Sequence, residues 1–211
     1  MRTEDLVALL AKDAPVRWPL GRASLLAFVA GILFTATVFF TLVHPRQDVA
    51  QAAGTVRFLF KFVVTLTLTV TSMGLVVRIA RPGAPLGIWR WLPIAAPILL
   101  FAAVIADLLA TPKSTWMSHW IGVNISQCLT LIPLMAIAPL ICLFPALRQG
   151  APENPGVAGA IAGLVSSGIA ATFYASHCTD DSPLFVVTWY PLASALVVCS
   201  GYLAGSRLLR W

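Results

Sequence analysis

Charged residues are scarce in this sequence. Of its 211 residues, 10% are charged and 59% are hydrophobic, and the mean hydropathy is +0.88. A soluble domain seldom carries so few charges together with so much apolar side-chain surface. The composition therefore excludes an ordinary soluble fold and predicts an integral membrane protein in contact with a lipid bilayer.

The sequence also lacks the common motifs of catalysis and cofactor binding. It contains no HExxH, no glycine-rich phosphate loop and no CxxC, and its four cysteines are scattered. We therefore predict that the protein is not an enzyme and has no cofactor. The net charge of +6 comes without a basic cluster interleaved with aromatics, so nucleic-acid binding is not expected either.

Long apolar runs fill most of the chain. A run of about 20 residues is long enough to cross the hydrocarbon core of a bilayer as a helix. Six such runs lie at 24–43, 58–77, 91–110, 121–144, 156–175 and 184–205. The loops between them are too short to hold a soluble domain. We predict an all-α membrane protein in which 24–211 forms one six-transmembrane-helix bundle.

The polar segment 1–23 precedes the first run. Within it Leu6, Leu9 and Leu10 recur at helical spacing, which predicts a short amphipathic helix. Ala50-Gln51-Ala52 resembles a signal-peptidase site, but the apolar run before it is longer than a signal peptide requires. We therefore expect the first helix to remain uncleaved.

The Lys and Arg residues divide unequally between the two sides of the predicted bundle. Ten fall on the side of the N-terminus and four on the opposite side. Cytoplasmic segments carry the excess of basic residues in membrane proteins. This bias predicts that both termini are cytoplasmic.

Glycines recur at short helical spacing in the last two runs. The fifth run has Gly156, Gly159 and Gly163, and the sixth has Gly201 and Gly205. Small residues at such spacing let helix backbones approach closely, although membrane helices are rich in glycine in any case. The pattern favours close packing of the fifth and sixth helices, either against neighbouring helices or against each other.

The second run carries a polar stripe on one helical face. Its members are Arg57, Lys61, Thr65, Thr69 and Ser72. Cations within a membrane need partners, and the acids expected at the same depth are Asp107, Asp180 and Asp181. Two interpretations remain open: an outer ion-pair network of Arg57, Lys61, Asp107, Asp180 and Asp181 that holds helices together, or a polar path for an ion or substrate.

The loop 176–182 is the most reactive part of the sequence, since it combines His177, Cys178 and two carboxylates. Of the four cysteines, Cys128 and Cys178 are the two expected on the outer side, where a disulfide can persist. Three interpretations remain open here: a disulfide, a soft metal ion bound by Cys128, Cys178 and His177, or two unlinked apolar thiols.

Several blocks of the sequence resemble one protein family. They are Arg57-Phe58-Leu59-Phe60-Lys61-Phe62, Arg81-Pro82-Gly83, Ile132-Pro133-Leu134, the block from His177 to Phe185, and the final Arg207-Leu208-Leu209-Arg210-Trp211. In these blocks the chain is similar to the negative-regulator-of-sigma-F family of proteobacterial membrane anti-sigma factors, and the similarity extends over essentially the whole sequence.

The resemblance implies a six-helix protein of the bacterial inner membrane. Such a protein would hold an extracytoplasmic-function sigma factor inactive and release it under heavy-metal or oxidative stress. The stress-sensing cysteines of the family would correspond to Cys128 and Cys178, with His177 beside them. The apolar face of Leu6, Leu9 and Leu10 would then bind the sigma factor as an amphipathic helix fits a groove. The alternative function is a small transporter that uses the polar face of the second helix.

Overall fold

The structure is a computed structural model, and it describes residues 3–5, 7 and 19–210. Within those residues the regular secondary structure is entirely helical. Six long helices are apolar enough to cross a membrane. They are α1 (Leu20–Val38, continued by a π-helical turn at Phe39–Val43), α2 (Val56–Ile79), α3 (Ala95–Ala110), α4 (Ile125–Gly150), α5 (Pro155–Ala175) and α6 (Pro183–Leu208).

The predicted runs and the observed helices agree except at their ends. The first helix begins at Leu20, ahead of the predicted start at 24, so the polar segment is shorter than expected. The fourth begins at Ile125 rather than at 121, because Trp116–Ile121 forms a separate short helix that ends at Gly122. Apolar composition alone did not separate these two helices.

The starts of α5 and α6 follow the chemistry of their first residues. Asn154 accepts a hydrogen bond from the Val157 N–H at 3.1 Å, and Pro155 occupies the first helical position. Ser182 and Pro183 play the same parts at the start of α6. The polar cap accepts one of the N–H groups that a helix start leaves without a partner, and proline at the first position has no N–H, so both starts are encoded locally.

Helix α5 lies at the centre of the bundle. A larger share of its apolar window is buried than in any of the other five long helices, and it packs against α2, α4 and α6. The expected glycine packing is confirmed. A Cβ on Gly159 would lie 2.1 Å from the Gly201 carbonyl oxygen, and one on Gly205 would lie 2.9 Å from the Gly159 Cα.

The two ends of the bundle differ in charge. Loops 44–55, 111–124 and 176–182 meet at one end, called here the acidic-loop end. Loops 80–94 and 151–154 lie at the other, called the basic end, with the start of α1 and the end of α6. Each half of the bundle has its own apolar cluster, and the cluster nearer the acidic-loop end contains Cys128 and Cys178.

Candidate functional site

The loop that joins α5 to α6 is held close to the end of α5. The backbone N–H groups of His177 and Cys178 both donate to the Tyr174 carbonyl, at 2.9 Å each. These bonds continue the last turn of α5 beyond Ala175 and direct the Cys178 side chain into the bundle, where it is fully buried. The loop therefore acts as a short cover over the interior of the acidic-loop end.

Asp181 binds two cations from two different parts of the chain. Its Oδ1 lies 2.6 Å from Lys61 Nζ, and its Oδ2 lies 2.9 Å from Arg46 Nη1. Lys61 is 1% exposed, so its ammonium group depends on these protein oxygens in place of water. Arg46 also forms a bidentate pair with Asp48, with two N–O distances of 2.6 Å.

The same two cations bind the backbone of the loop. The carbonyl oxygen of Cys178 accepts from Lys61 Nζ at 2.9 Å and from Arg46 Nη1 at 3.4 Å. The Arg46 backbone N–H donates to the Ser176 carbonyl at 3.0 Å. We call the set Arg46, Lys61 and Asp181 the Asp181 clamp, because it fastens the loop to α2 and to the α1–α2 connection.

Asp180 has a different partner from the one that its sequence position suggested. Its Oδ2 accepts from the backbone N–H groups of Val123 and Asn124 and from the Asn124 side-chain amide, at 2.9 Å each. These groups immediately precede α4, where a carboxylate is favoured by the unsatisfied N–H groups and by the helix dipole. Asp180 therefore fastens the loop to the start of α4.

Arg57 and Asp107 form a separate pair. Arg57 Nη2 lies 2.6 Å from Asp107 Oδ1 and joins α2 to α3. Among the described residues, no ion pair links these two to Asp180, Asp181 or Lys61. The five residues named as one network thus lie at the same end of the bundle but in three separate arrangements.

Both thiols named as sensors are buried. Cys128 and Cys178 are each 0% exposed, belong to one apolar cluster and are free rather than disulfide-bonded. Because α4 begins at Ile125, Cys128 lies in its first turn, nearer the helix end than the sequence indicated. Burial raises the pKa of the Cys178 thiol above its ordinary value of 9.0, while the nearby Lys61 ammonium group lowers it in part.

The sequence suggested a metal site formed by Cys128, Cys178 and His177. Among the residues that the structure describes, no three His, Cys, Asp or Glu side chains are grouped closely enough to hold a metal ion. The half-buried His177 places its Nδ1 2.8 Å from the His44 carbonyl oxygen, in the loop that follows α1. In this arrangement the imidazole serves to join two loops.

Sequence reasoning missed Arg46 and Tyr174. The charge count includes Arg46 only as one of the basic residues of the outer side. In the structure it pairs with two carboxylates, those of Asp48 and Asp181. The Arg46–Asp48 spacing was the signal available for it. The Tyr174 hydroxyl donates to the Asn124 carbonyl at 3.3 Å, and the apolar residues around it in the sequence gave no sign of this.

Comparison with known proteins identifies the family. The family model described as "Negative regulator of sigma F" matches residues 10–211, which include every residue of the loop and of its partners. The chain belongs to the negative regulator of sigma F family.

Two curated members of the negative regulator of sigma F family align with the whole chain. The "Probable anti-sigma-F factor NrsF" of Azospira oryzae is 29% identical, and the "Anti-sigma-F factor NrsF" of Caulobacter vibrioides is 31% identical. In both cases the alignment covers 100% of this chain and 100% of the relative. No solved structure matches this sequence.

Two hydroxyls of the polar stripe of α2 are bonded to their own helix. Thr65 donates its hydroxyl to the Lys61 carbonyl at 3.0 Å, and Thr69 donates to the Thr65 carbonyl at 2.8 Å. Both hydroxyls are thus bonded to their own helix. The adjacent cavity of about 440 Å³ is lined mainly by apolar side chains of α2, α3 and α6, so neither feature favours the transporter interpretation.

The basic end presents cations to its surroundings. Arginines 22, 81, 90, 148, 207 and 210 are exposed there, and Arg78 and Arg90 stack on Trp89 and Trp91 at 4.8 and 5.1 Å. Leu6, Leu9 and Leu10, predicted to bind a sigma factor, lie outside the described residues.

Proposed function

We propose that this protein is an integral inner-membrane anti-sigma factor that sequesters a sigma factor of the extracytoplasmic-function class. The observation that carries the proposal is the full-length alignment with two relatives that are both named as anti-sigma-F factors. Six apolar helices and the absence of catalytic motifs from the sequence support a membrane regulator rather than an enzyme.

The proposal places the basic end in the cytoplasm and the acidic-loop end outside it. The excess of Lys and Arg on one side supports this orientation, since basic segments are retained on the cytoplasmic side. The sigma factor would then bind at the basic end, through the predicted apolar face of Leu6, Leu9 and Leu10 and through the exposed arginines of that end.

Stress would act at the opposite end, on Cys128 and Cys178. An oxidant such as a peroxide would take two electrons and two protons from the thiols as their sulfurs join, and a soft metal ion would instead bind them as thiolates with His177. Both thiols are fully buried, so either reaction requires the loop 176–182 to open. Helices α4 and α5 extend from this site to the basic end and would transmit the change.

Co-purification tests the proposal directly. The tagged chain is extracted from bacterial membranes with detergent, and we expect a sigma factor to be retained in roughly equimolar amount. Replacing Leu9 and Leu10 by Asp should remove the sigma factor and raise sigma-dependent transcription, because charges cannot enter an apolar groove.

The matched control replaces Val56 and Met117 by Asp, since both are exposed apolar residues at the acidic-loop end, opposite the proposed contact. The membrane level of each variant is measured by immunoblotting. Retention of the sigma factor by the Leu9→Asp/Leu10→Asp protein would exclude the N-terminal contact, and absence of any sigma factor from the wild-type protein would exclude the proposed function.

A further inference from the structure

The Asp181 clamp differs from the other ion pairs at the acidic-loop end because it binds backbone as well as side chains. Lys61 and Arg46 both reach Asp181, and both donate to the carbonyl of Cys178. The Arg57–Asp107 pair joins two helices and, in the part of the chain that the structure describes, has no ion pair or hydrogen bond to the loop. The clamp therefore holds the Cys178 backbone from the side of α2, in addition to the bond that Cys178 makes to the end of α5.

Burial makes the clamp sensitive to the loss of one partner. Lys61 is 1% exposed and lies over the face of Phe58, with its Nζ 5.3 Å from the ring centroid. If Asp181 loses its charge, the ammonium group keeps the Cys178 carbonyl but no carboxylate, and water becomes its best remaining partner. Water can reach it only if the loop moves away from α2.

The loop has a second attachment that limits how it can move. Asp180 is bound to the start of α4 through three N–H donors, and these differ from the partners of Asp181. The Asp181 side can then open while the Asp180 side stays in place. Such a movement separates the loop from α2 and from Arg46, next to the Cys178 thiol.

We propose that Arg46, Lys61 and Asp181 are positioning residues that control access to the Cys178 thiol, with Asp181 as the shared partner whose charge keeps the loop closed. The closed loop shields the Cys178 thiol, which under the proposed function reacts with oxidants or soft metal ions. A role of the clamp in regulating sigma-factor release therefore rests on the proposed function. The control of access itself depends only on the contacts described here.

The test measures the rate at which N-ethylmaleimide modifies Cys178. The protein is purified in detergent with Cys128, Cys142 and Cys199 replaced by serine, so that a single thiol remains. Asp181→Asn should raise the rate at least about tenfold, because it leaves a buried cation uncompensated. Asp181→Glu keeps the charge and should restore most of the protection, which a merely structural role of side-chain size would not produce.

Asp107→Asn is the matched control, since it removes the charge of a buried carboxylate at the same end whose cation partner, Arg57, lies outside the clamp. We expect it to leave the labelling rate within about twofold of the parent. Equal acceleration by Asp107→Asn and Asp181→Asn would overturn the proposal, as would an unchanged rate in a folded Asp181→Asn protein. If Asp181→Asn does not fold, Arg46→Gln decides, and an unchanged rate for that variant overturns the proposal.

Transcription separates this inference from the proposed function. The same substitutions are placed in the protein with all four cysteines, and sigma-dependent transcription is measured with a thiol-reactive stressor. Faster labelling together with a lower stressor threshold supports both the clamp and the proposed sensing. Faster labelling with an unchanged response supports the clamp and contradicts sensing through Cys178.

Discussion

At the scale of single residues, the environment of Cys178 decides between two opposed effects. Burial favours the neutral thiol, whereas the nearby Lys61 ammonium favours the thiolate. Burial is the larger effect, so the pKa of Cys178 lies above 9.0 and the thiol is protonated near neutral pH. Reactive sensor cysteines have low pKa values and exposed sulfurs, so the closed structure describes the protected form of this residue.

The pH dependence of alkylation tests this ordering. In the protein whose only cysteine is Cys178, the reaction with iodoacetamide should have a midpoint above 9.0, and after denaturation in detergent the midpoint should fall towards 9.0. The sign for stability follows from the same shift. Because the pKa of Cys178 is raised in the folded protein, the contribution of this thiol to stability is fully present below pH 9.0. That contribution is lost as the pH rises through the pKa of the folded protein. A folded midpoint below 9.0 would show that Lys61 outweighs burial.

At the scale of helices, the sequence predicted the six long helices correctly but placed some of their ends several residues away from where they lie. The six runs were recognised because a bilayer-spanning helix needs about 20 apolar residues, and that requirement is written in composition alone. The separation of Trp116–Ile121 from α4 depends on Gly122, whose φ of +59° turns the chain. A Cβ on Gly122 would lie 2.7 Å from the Asp180 carboxylate, a contact between distant segments that no local pattern reveals.

The charge partners illustrate the same distinction. The sequence correctly predicted that Arg57, Lys61 and the three acids lie at one end of the bundle, because the constant rise of a helix gives the depth of each residue. Which acid meets which cation depends on how loops 44–55 and 176–182 cross, and those loops contain too few residues to show a periodic pattern. Arg46 was missed for this reason.

The packing of α5 against α6 gives the prediction at this scale. Gly159→Ala places a methyl group against the Gly201 carbonyl, and neither backbone can yield. Overpacking of this kind costs about 1–3 kcal/mol, so we expect a lower apparent Tm in detergent. Gly54→Ala is the control, because its nearest neighbour would lie at an ordinary 3.4 Å. The interpretation is wrong if the two variants have the same apparent Tm.

At the scale of the whole molecule, the two ends are joined by helices that take part in both. Cys128 lies in the first turn of α4 and Arg148 in its last turn, so one helix connects the thiol site with the basic surface. Helix α5 has its first residue at the basic end and its last beside the loop that carries Cys178. Cys128 thus belongs to α4 and Cys178 directly follows α5, so a bond between the two thiols would join the ends of these two helices.

The double substitution of Cys128 and Cys178 by serine tests this connection. Under the proposed function, a stressor would shift the protein from holding to releasing its sigma factor only through its different affinity for the two states, and about 1.4 kcal/mol changes their ratio tenfold. Serine keeps the size of the side chain but removes the soft sulfur, so the variant should repress normally and fail to respond to an oxidant or soft metal. The control replaces the other two free cysteines, Cys142 and Cys199, by serine, and it should respond like the wild type. A full response by the Cys128/Cys178 variant would show that both thiols only pack, and that the α4–α5 connection carries no signal from them.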